Sequence, residues 1–257
     1  MGQNFLIDPN MLSALIQDAS VKAGERVLEI GPGLGVLTRA LLDIGCDLTS
    51  VELDHRLAEH IKGLFGDRPN FRLVQGDACR QDYDTLMGTE TYRCVANLPY
   101  SCSTPFLSQI CAAENPPQDL CVLLQREMAD RLSAAHGTKD YGLPTVRIAL
   151  RYNVRIMRMV PPEVFFPRPE VSSAFVKFSR NDRCGDAALR KTVDAVASVA
   201  FSQRRKKTAT LLKNAFSDID AETAIRRAGL PADVRADAIS VDAFIALARE
   251  IMGRRGE

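Results

Sequence analysis

Short apolar runs recur along the first two-thirds of the chain, each followed by a stretch whose apolar residues return every three or four positions. Arg26-Val27-Leu28-Glu29-Ile30 runs into Gly31, and residues 36–42 then carry helical spacing that ends near Gly45. The pair repeats as a strand over 48–53 and a helix over 55–64, with a third strand over 71–74. A fourth strand is expected over 93–96. The next helix is expected from Thr104, because Pro105 suits the first turn of a helix. A fifth strand over 120–124 precedes a helix over 126–135. Strands alternating with helices of this length predict an α/β fold with a mostly parallel sheet and helices on both faces. Residues 152–159 and 174–178 complete a seven-stranded sheet as an expected antiparallel pair at one edge, joined by a proline-rich loop. Past Arg180-Asn181-Asp182-Arg183 the strand signal stops and helical spacing takes over. The expected division is an α/β domain over 1–182 and a small all-helical domain over 183–257.

Composition changes this picture little. The 257 residues carry a formal net charge of +1, so any nucleic-acid partner must be met by a local cluster and not by a global field. The chain opens on the polar Met1-Gly2-Gln3-Asn4, and its longest apolar runs are too short to span a bilayer. Seven cysteines without a C-x-x-C pair fit a reducing compartment and read as small core residues. We therefore expect a cytoplasmic protein with no membrane partner. The three histidines lack metal-ligand spacing, so no metal is expected.

The candidate chemistry begins at Glu29-Ile30-Gly31-Pro32-Gly33-Leu34-Gly35, where the first predicted strand meets the first predicted helix. Glycines there let the backbone turn tightly and approach a ligand. A dinucleotide loop would need a small residue at position 36, and Val36 stands there instead, which opposes a dehydrogenase. The G-x-G-x-G spacing suits a nucleoside without a pyrophosphate. Glu52 ends the second predicted strand, where a carboxylate can take ribose hydroxyls. Asp77 follows the third, where a carboxylate can accept from an adenine amino group. Together these features resemble the class I S-adenosylmethionine-dependent methyltransferases, with their Rossmann-like domain. The resemblance implies that Gly31 and Gly33 border the methionine part of that cofactor, Glu52 holds the ribose and Asp77 the adenine.

Asn97-Leu98-Pro99-Tyr100 closes the fourth predicted strand at the same edge, and it resembles the N/D-P-P-Y/F motif of adenine-N6 methyltransferases. The exocyclic nitrogen of adenine is a poor nucleophile because its lone pair is delocalised into the ring. Two acceptors on its N–H bonds favour the pyramidal form that frees the lone pair. The Asn97 side-chain oxygen and the Leu98 carbonyl can be those acceptors, Pro99 fixes the backbone that aims them, and Tyr100 offers a face to the base. Positioning can supply on the order of 7–11 kcal/mol of barrier reduction, and oriented dipoles most of the rest.

Over nearly its whole length the chain resembles the ribosomal RNA adenine N6,N6-dimethyltransferases, the kasugamycin-resistance family. The match rests on Gly2-Gln3-Asn4-Phe5-Leu6 with Asp8, on Glu29 to Gly35, on Asn97 to Pro105, and on Phe165-Phe166-Pro167-Arg168-Pro169-Glu170-Val171-Ser172-Ser173. The resemblance implies that Asn4 and Leu6 close over the cofactor, that Asn97 borders it, and that Phe165 stacks the target base opposite Tyr100. It implies two successive methyl transfers to adenines near the 3′ end of small-subunit rRNA, on an assembling subunit, by a monomer. Arg204-Arg205-Lys206-Lys207 is then a phosphate-binding patch for that RNA. After it the chain departs from the family's R-R-K-x-L-x-N-x-L, with Thr208 in place of the leucine and Thr210 in place of the asparagine. Arg147, Arg151, Arg155 and Arg158 form a second basic group. Two rival readings share much of this pattern: a large-subunit rRNA methyltransferase of the antibiotic-resistance type, and a non-catalytic assembly factor on the same fold.

Overall fold

The computed structural model describes residues 4–181, 183–216 and 219–253. Gly2 and Gln3 of the first motif, and Asp182 at the expected boundary, lie outside the described residues. The chain opens with β1 (Phe5–Leu6) and α1 (Pro9–Ala19), whose start is fixed by the Asp8 carboxylate accepting the Met11 N–H at 2.6 Å. There follow β2 (Arg26–Ile30), α2 (Val36–Ile44), β3 (Asp47–Glu52), α3 (His55–Phe65), β4 (Phe71–Gln75) and α4 (Tyr83–Met87). Next come β5 (Arg93–Asn97), α5 (Tyr100–Ala112), β6 (Asp119–Gln125), α6 (Arg126–Leu132), α7 (Leu143–Ala149) and β7 (Tyr152–Val160). The order ends with β8 (Phe165–Phe166), β9 (Ser173–Arg180), α8 (Ala187–Phe201), α9 (Thr208–Ala215), α10 (Ala221–Arg227) and α11 (Val241–Gly253).

Seven strands form one sheet in the order β4-β3-β2-β5-β6-β9-β7, with β2–β3, β3–β4, β2–β5 and β5–β6 parallel and β6–β9 antiparallel. The α/β expectation holds, as does the placing of the last two large strands at one edge. Strands covered on both faces need apolar residues at nearly every position. Thus Leu28, Leu120, Val122, Leu124 and Val176 are fully buried. The chain runs from β2 outward through β3 and β4, then crosses back to β5 and β6. This reversal opens a crevice beyond the carboxyl ends of β2 and β5, where open α/β sheets bind ligands.

Two expectations change. The helix placed at Thr104 begins at Tyr100, with Pro99 as its N-cap and Pro105 inside it. The N–H that Pro105 lacks would have met the Ser101 carbonyl, and Ser101 is exposed, so water can take that acceptor. The domain division is also not contiguous. One unit comprises Met1–Ala129 with Arg155–Arg180, and the other Asp130–Val154 with Asn181–Glu257. The second unit has its own core, in which Tyr141, Val146 and Leu150 join Val193, Leu212 and Phe244.

Candidate functional site

The loop after β2 holds its glycines in left-handed backbone, with φ of 56° at Gly33 and 82° at Gly35. A Cβ on Gly33 would lie 2.9 Å from the Phe5 ring, and one on Gly35 2.8 Å from Phe65. Gly35 therefore serves the packing of α2 on α3, whereas Gly33 lets the amino-terminal segment lie over the loop. That segment is held by pairing that no periodicity could reveal: Phe5 faces Phe166 and Leu6 faces Phe165 in an antiparallel two-residue ladder. One cavity is lined by Phe5, Leu6, Gly31, Pro32, Leu34 and Asn97, with Leu15 and Phe175 also in its wall.

Glu52 is buried at 1% exposure. Its Oε2 accepts the Gly33 N–H at 3.2 Å and its Oε1 the Asp54 N–H at 2.9 Å. Each carboxylate oxygen therefore keeps lone-pair capacity for a hydroxyl donor. Asp77 is half-exposed; its Oδ1 accepts the Cys79 N–H at 2.9 Å and its Oδ2 lies 3.6 Å from the Arg80 guanidinium. Glu52 and Asp77 do not line the cavity itself. Glu52 acts on it through the loop that does. The crowded Gly33 and the buried Glu52 carboxylate holding its N–H fit a nucleoside cofactor carrying a ribose diol.

The tetrad is split between strand and helix: Asn97 ends β5, and Tyr100 begins α5. The Asn97 Nδ2 donates to the Asn4 carbonyl at 2.8 Å. A carbonyl can only accept, so this bond fixes the amide orientation and leaves Oδ1 on the other side. No donor among the described residues reaches Asn97 Oδ1 or the Leu98 carbonyl. The Pro99 carbonyl, by contrast, accepts the Cys102 N–H at 2.9 Å. Leu98 buries its side chain, and Tyr100 and Ser173 hydroxyls lie 2.7 Å apart. The hydroxyl pair ties the tetrad to the end of the Phe165–Ser173 segment. Phe165 itself is 3% exposed and packs in the core with Leu6, Leu15 and Val164, whereas Phe166 is 68% exposed. A base stacked on Phe165 therefore requires the cover of that ring to move.

Sequence reasoning passed over Glu29 as a functional group. The signal was a charged residue inside an otherwise apolar strand. Glu29 is 1% exposed, and its Oε2 accepts hydroxyl donors from Thr38 at 2.8 Å and Ser50 at 2.6 Å. Its Oε1 is buried with no partner among the described residues. Burial raises its pKa to about 7, against the lowering by the Ser50 and Thr38 bonds, with the nearby Glu52 charge adding a smaller push upward.

The basic tract lies between α8 and α9, and all four of its residues are exposed. Arg204 nonetheless has an internal task. Its Nη2 donates to the carbonyls of Thr138, Lys139 and Tyr141 at 3.4, 2.8 and 2.6 Å. Two members of the second basic group are likewise committed: Arg147 pairs with Asp194, and Arg158 with Asp18.

A family model described as Ribosomal RNA adenine dimethylase matches residues 1–252. The chain is 38% identical over 250 residues to the Ribosomal RNA small subunit methyltransferase A of Methylococcus capsulatus, covering 97% of this chain and 96% of that one. It is 35% identical over 268 residues to the protein of the same name from Geobacter metallireducens, covering 100% and 96%. Among solved structures, a dimethyladenosine transferase from Plasmodium falciparum matches with a TM-score of 0.85 at 22% identity, over 98% of each chain. The 23S rRNA methyltransferase ErmE matches with a TM-score of 0.74, also at 22% identity, over 97% of this chain and 100% of that one. At those identities the two structures establish the fold.

Proposed function

The chain belongs to the ribosomal RNA adenine dimethylase family, and on that premise we propose how its residues transfer methyl groups to adenine N6 in small-subunit rRNA. The cofactor of this class is S-adenosylmethionine, which when bound supplies an electrophilic sulfonium methyl. The observation that carries the reading is the Asn97 amide, turned by the Asn4 carbonyl so that Oδ1 is left for a substrate donor. Asn97 Oδ1 and the Leu98 carbonyl each accept one N–H of the adenine amine, drawing its lone pair out of the ring. Pro99, at φ −55° and ψ 132°, sets the direction of the Leu98 carbonyl. Glu52 holds the ribose diol, and Asp77 accepts from the cofactor's adenine. Tyr100, steadied by Ser173, stacks the extruded base on one side, and Phe165 closes on the other once uncovered. Stacking of this kind supplies roughly 1–3 kcal/mol per base, which offsets a few kcal/mol of extrusion.

The substrate reading rests on the names of relatives at 35–38% identity over nearly full length. The large-subunit alternative has only the fold of ErmE behind it. No disulfide joins cysteines among the described residues, which supports a reducing compartment such as the cytoplasm as its place of work; no described helix is long and apolar enough to cross a membrane. The test is transfer from labelled S-adenosylmethionine to undermethylated small subunits, with nucleoside analysis of the product. Dimethyladenosine is expected. Asn97→Ala should lose about 2.7–4 kcal/mol in the rate while RNA affinity holds. Equal labelling of large subunits, or an unimpaired Asn97→Ala enzyme, would overturn the proposal.

A further inference from the structure

Cys79 and Cys102 lie 23 residues apart in sequence, yet their Sγ atoms are 3.0 Å apart, with the Cys79 Sγ also 3.8 Å from the Cys102 carbonyl. Both are half-buried, while Cys46, Cys94, Cys121 and Cys184 are fully buried. Each sulfur is one step from a residue placed in the site. The Cys79 N–H is held by the Asp77 carboxylate at 2.9 Å, and the Cys102 N–H by the Pro99 carbonyl at 2.9 Å. The pair therefore bridges the cofactor's adenine rim and the turn that aims the methyl acceptor. Metal capture would require further ligands, and no cluster of three metal-binding side chains exists among the described residues.

We propose that Cys79 and Cys102 are an oxidative modification site, closing to a disulfide under peroxide and thereby restraining methyl transfer. In the first step the Cys79 thiol attacks hydrogen peroxide, giving a sulfenic acid and water as the sulfur is oxidised and the peroxide oxygen reduced. In the second, the Cys102 sulfur displaces hydroxide from that sulfenic acid, the two thiol-derived protons ending in the two waters and an S–S bond joining the residues. Burial and its bond to Cys79 push the Cys102 thiol up to about 12, so its proton is shed as it displaces the hydroxide, which leaves as water. A disulfide requires sulfurs about 2.05 Å apart, so closure brings the two Sγ atoms roughly 1 Å nearer and ties the Asp77 loop covalently to the first turn of α5. A displacement of that size at a methyl-transfer site can cost on the order of 10²-fold in rate. A thiol reductant restores the open pair.

The experiment treats the full chain with hydrogen peroxide, alkylates the remaining thiols under denaturing conditions and maps the peptides. A Cys79–Cys102 linked peptide is expected, two hydrogens lighter than its parts and lost on reduction. Cys79→Ser and Cys102→Ser should each abolish it. In the activity arm, which rests on the methyl-transfer reading, peroxide should slow the native enzyme at least tenfold, reversibly, and spare both serine variants. Recovery of Cys79 and Cys102 as alkylated thiols after peroxide would overturn the site. Equal inactivation of the serine variants, or a linked enzyme at full rate, would overturn the restraint. If the reduced enzyme transfers no methyl group at all, the methyl-transfer reading fails, and the peptide map alone still decides the linkage.

Discussion

Two buried polar groups show what a single residue costs and what it can reveal. Glu29 has its pKa raised to about 7 from the ordinary 4.5, chiefly by burial. The folded state therefore binds a proton that the unfolded chain releases, between about pH 4.5 and 7. Stability from this group is complete below that window and is lost as pH rises through it, on the order of 3 kcal/mol in all. Glu29→Gln keeps the shape without the titration. The stability of native protein relative to Glu29→Gln should fall between about pH 4.5 and 7 and level off above, as read by urea unfolding at each pH; a constant difference would place the proton elsewhere. Thr208 is the second case. Its hydroxyl is buried and unpartnered among the described residues, at the position where the motif this segment resembles would place leucine. An orphan hydroxyl costs roughly 1–3 kcal/mol, so Thr208→Val should raise unfolding free energy by about 1 kcal/mol, and a drop in denaturant melts would show that the hydroxyl is satisfied. The sequence alone marked Thr208 as a departure but could not say that it was buried. In the same way it offered Asn97 as an acceptor, yet the direction of its amide depends on Asn4, 93 positions away.

At the scale of elements, the strands of the sheet were legible because burial on both faces leaves apolar runs with little ambiguity. The elements that assemble the site were not. β1 and β8 are two residues long, too short for any periodicity, and exist because each pairs with the other. The start of α5 was misplaced because Pro105 imitates a first-turn proline, whereas Pro99 supplies the cap. The segment Asp130–Val154 groups with the second unit because Tyr141, Val146 and Leu150 enter its core, a partnership between distant stretches of chain. The glycine loop can be tested as an element against a control. Gly33→Ala adds a Cβ 2.9 Å from Phe5, whereas Gly24→Ala meets nothing within 4 Å; both positions have positive φ. Both variants should share a backbone penalty of roughly 1–2 kcal/mol. Only Gly33→Ala should also weaken S-adenosylmethionine, by tenfold or more in calorimetric titration. Equal affinities would mean that Phe5 does not help to shape the cofactor site.

For the whole molecule, a net charge of +1 leaves no long-range field to draw in an RNA, so affinity must come from a local arrangement. The exposed tract provides one, but its four cations are not equivalent. Lys207 is the N-cap of α9, with Arg205 and Lys206 just before it, so three cations stand at a helix terminus that itself favours anions. Arg204 spends its guanidinium on three carbonyls of the 138–141 segment within the second unit. Neutralising Arg205, Lys206 and Lys207 together should flatten the dependence of small-subunit binding on salt by about 0.7–0.9 log units for each phosphate that is no longer neutralised, with little change in melting. Arg204→Ala should do the reverse. It removes a charged donor from three acceptors, lowering stability by about 1.5–3 kcal/mol, while the salt slope stays near that of the native protein. Binding measured across a series of salt concentrations, beside thermal melts of the same preparations, separates the two roles. A flattened slope in Arg204→Ala with unchanged melting would return that arginine to the RNA.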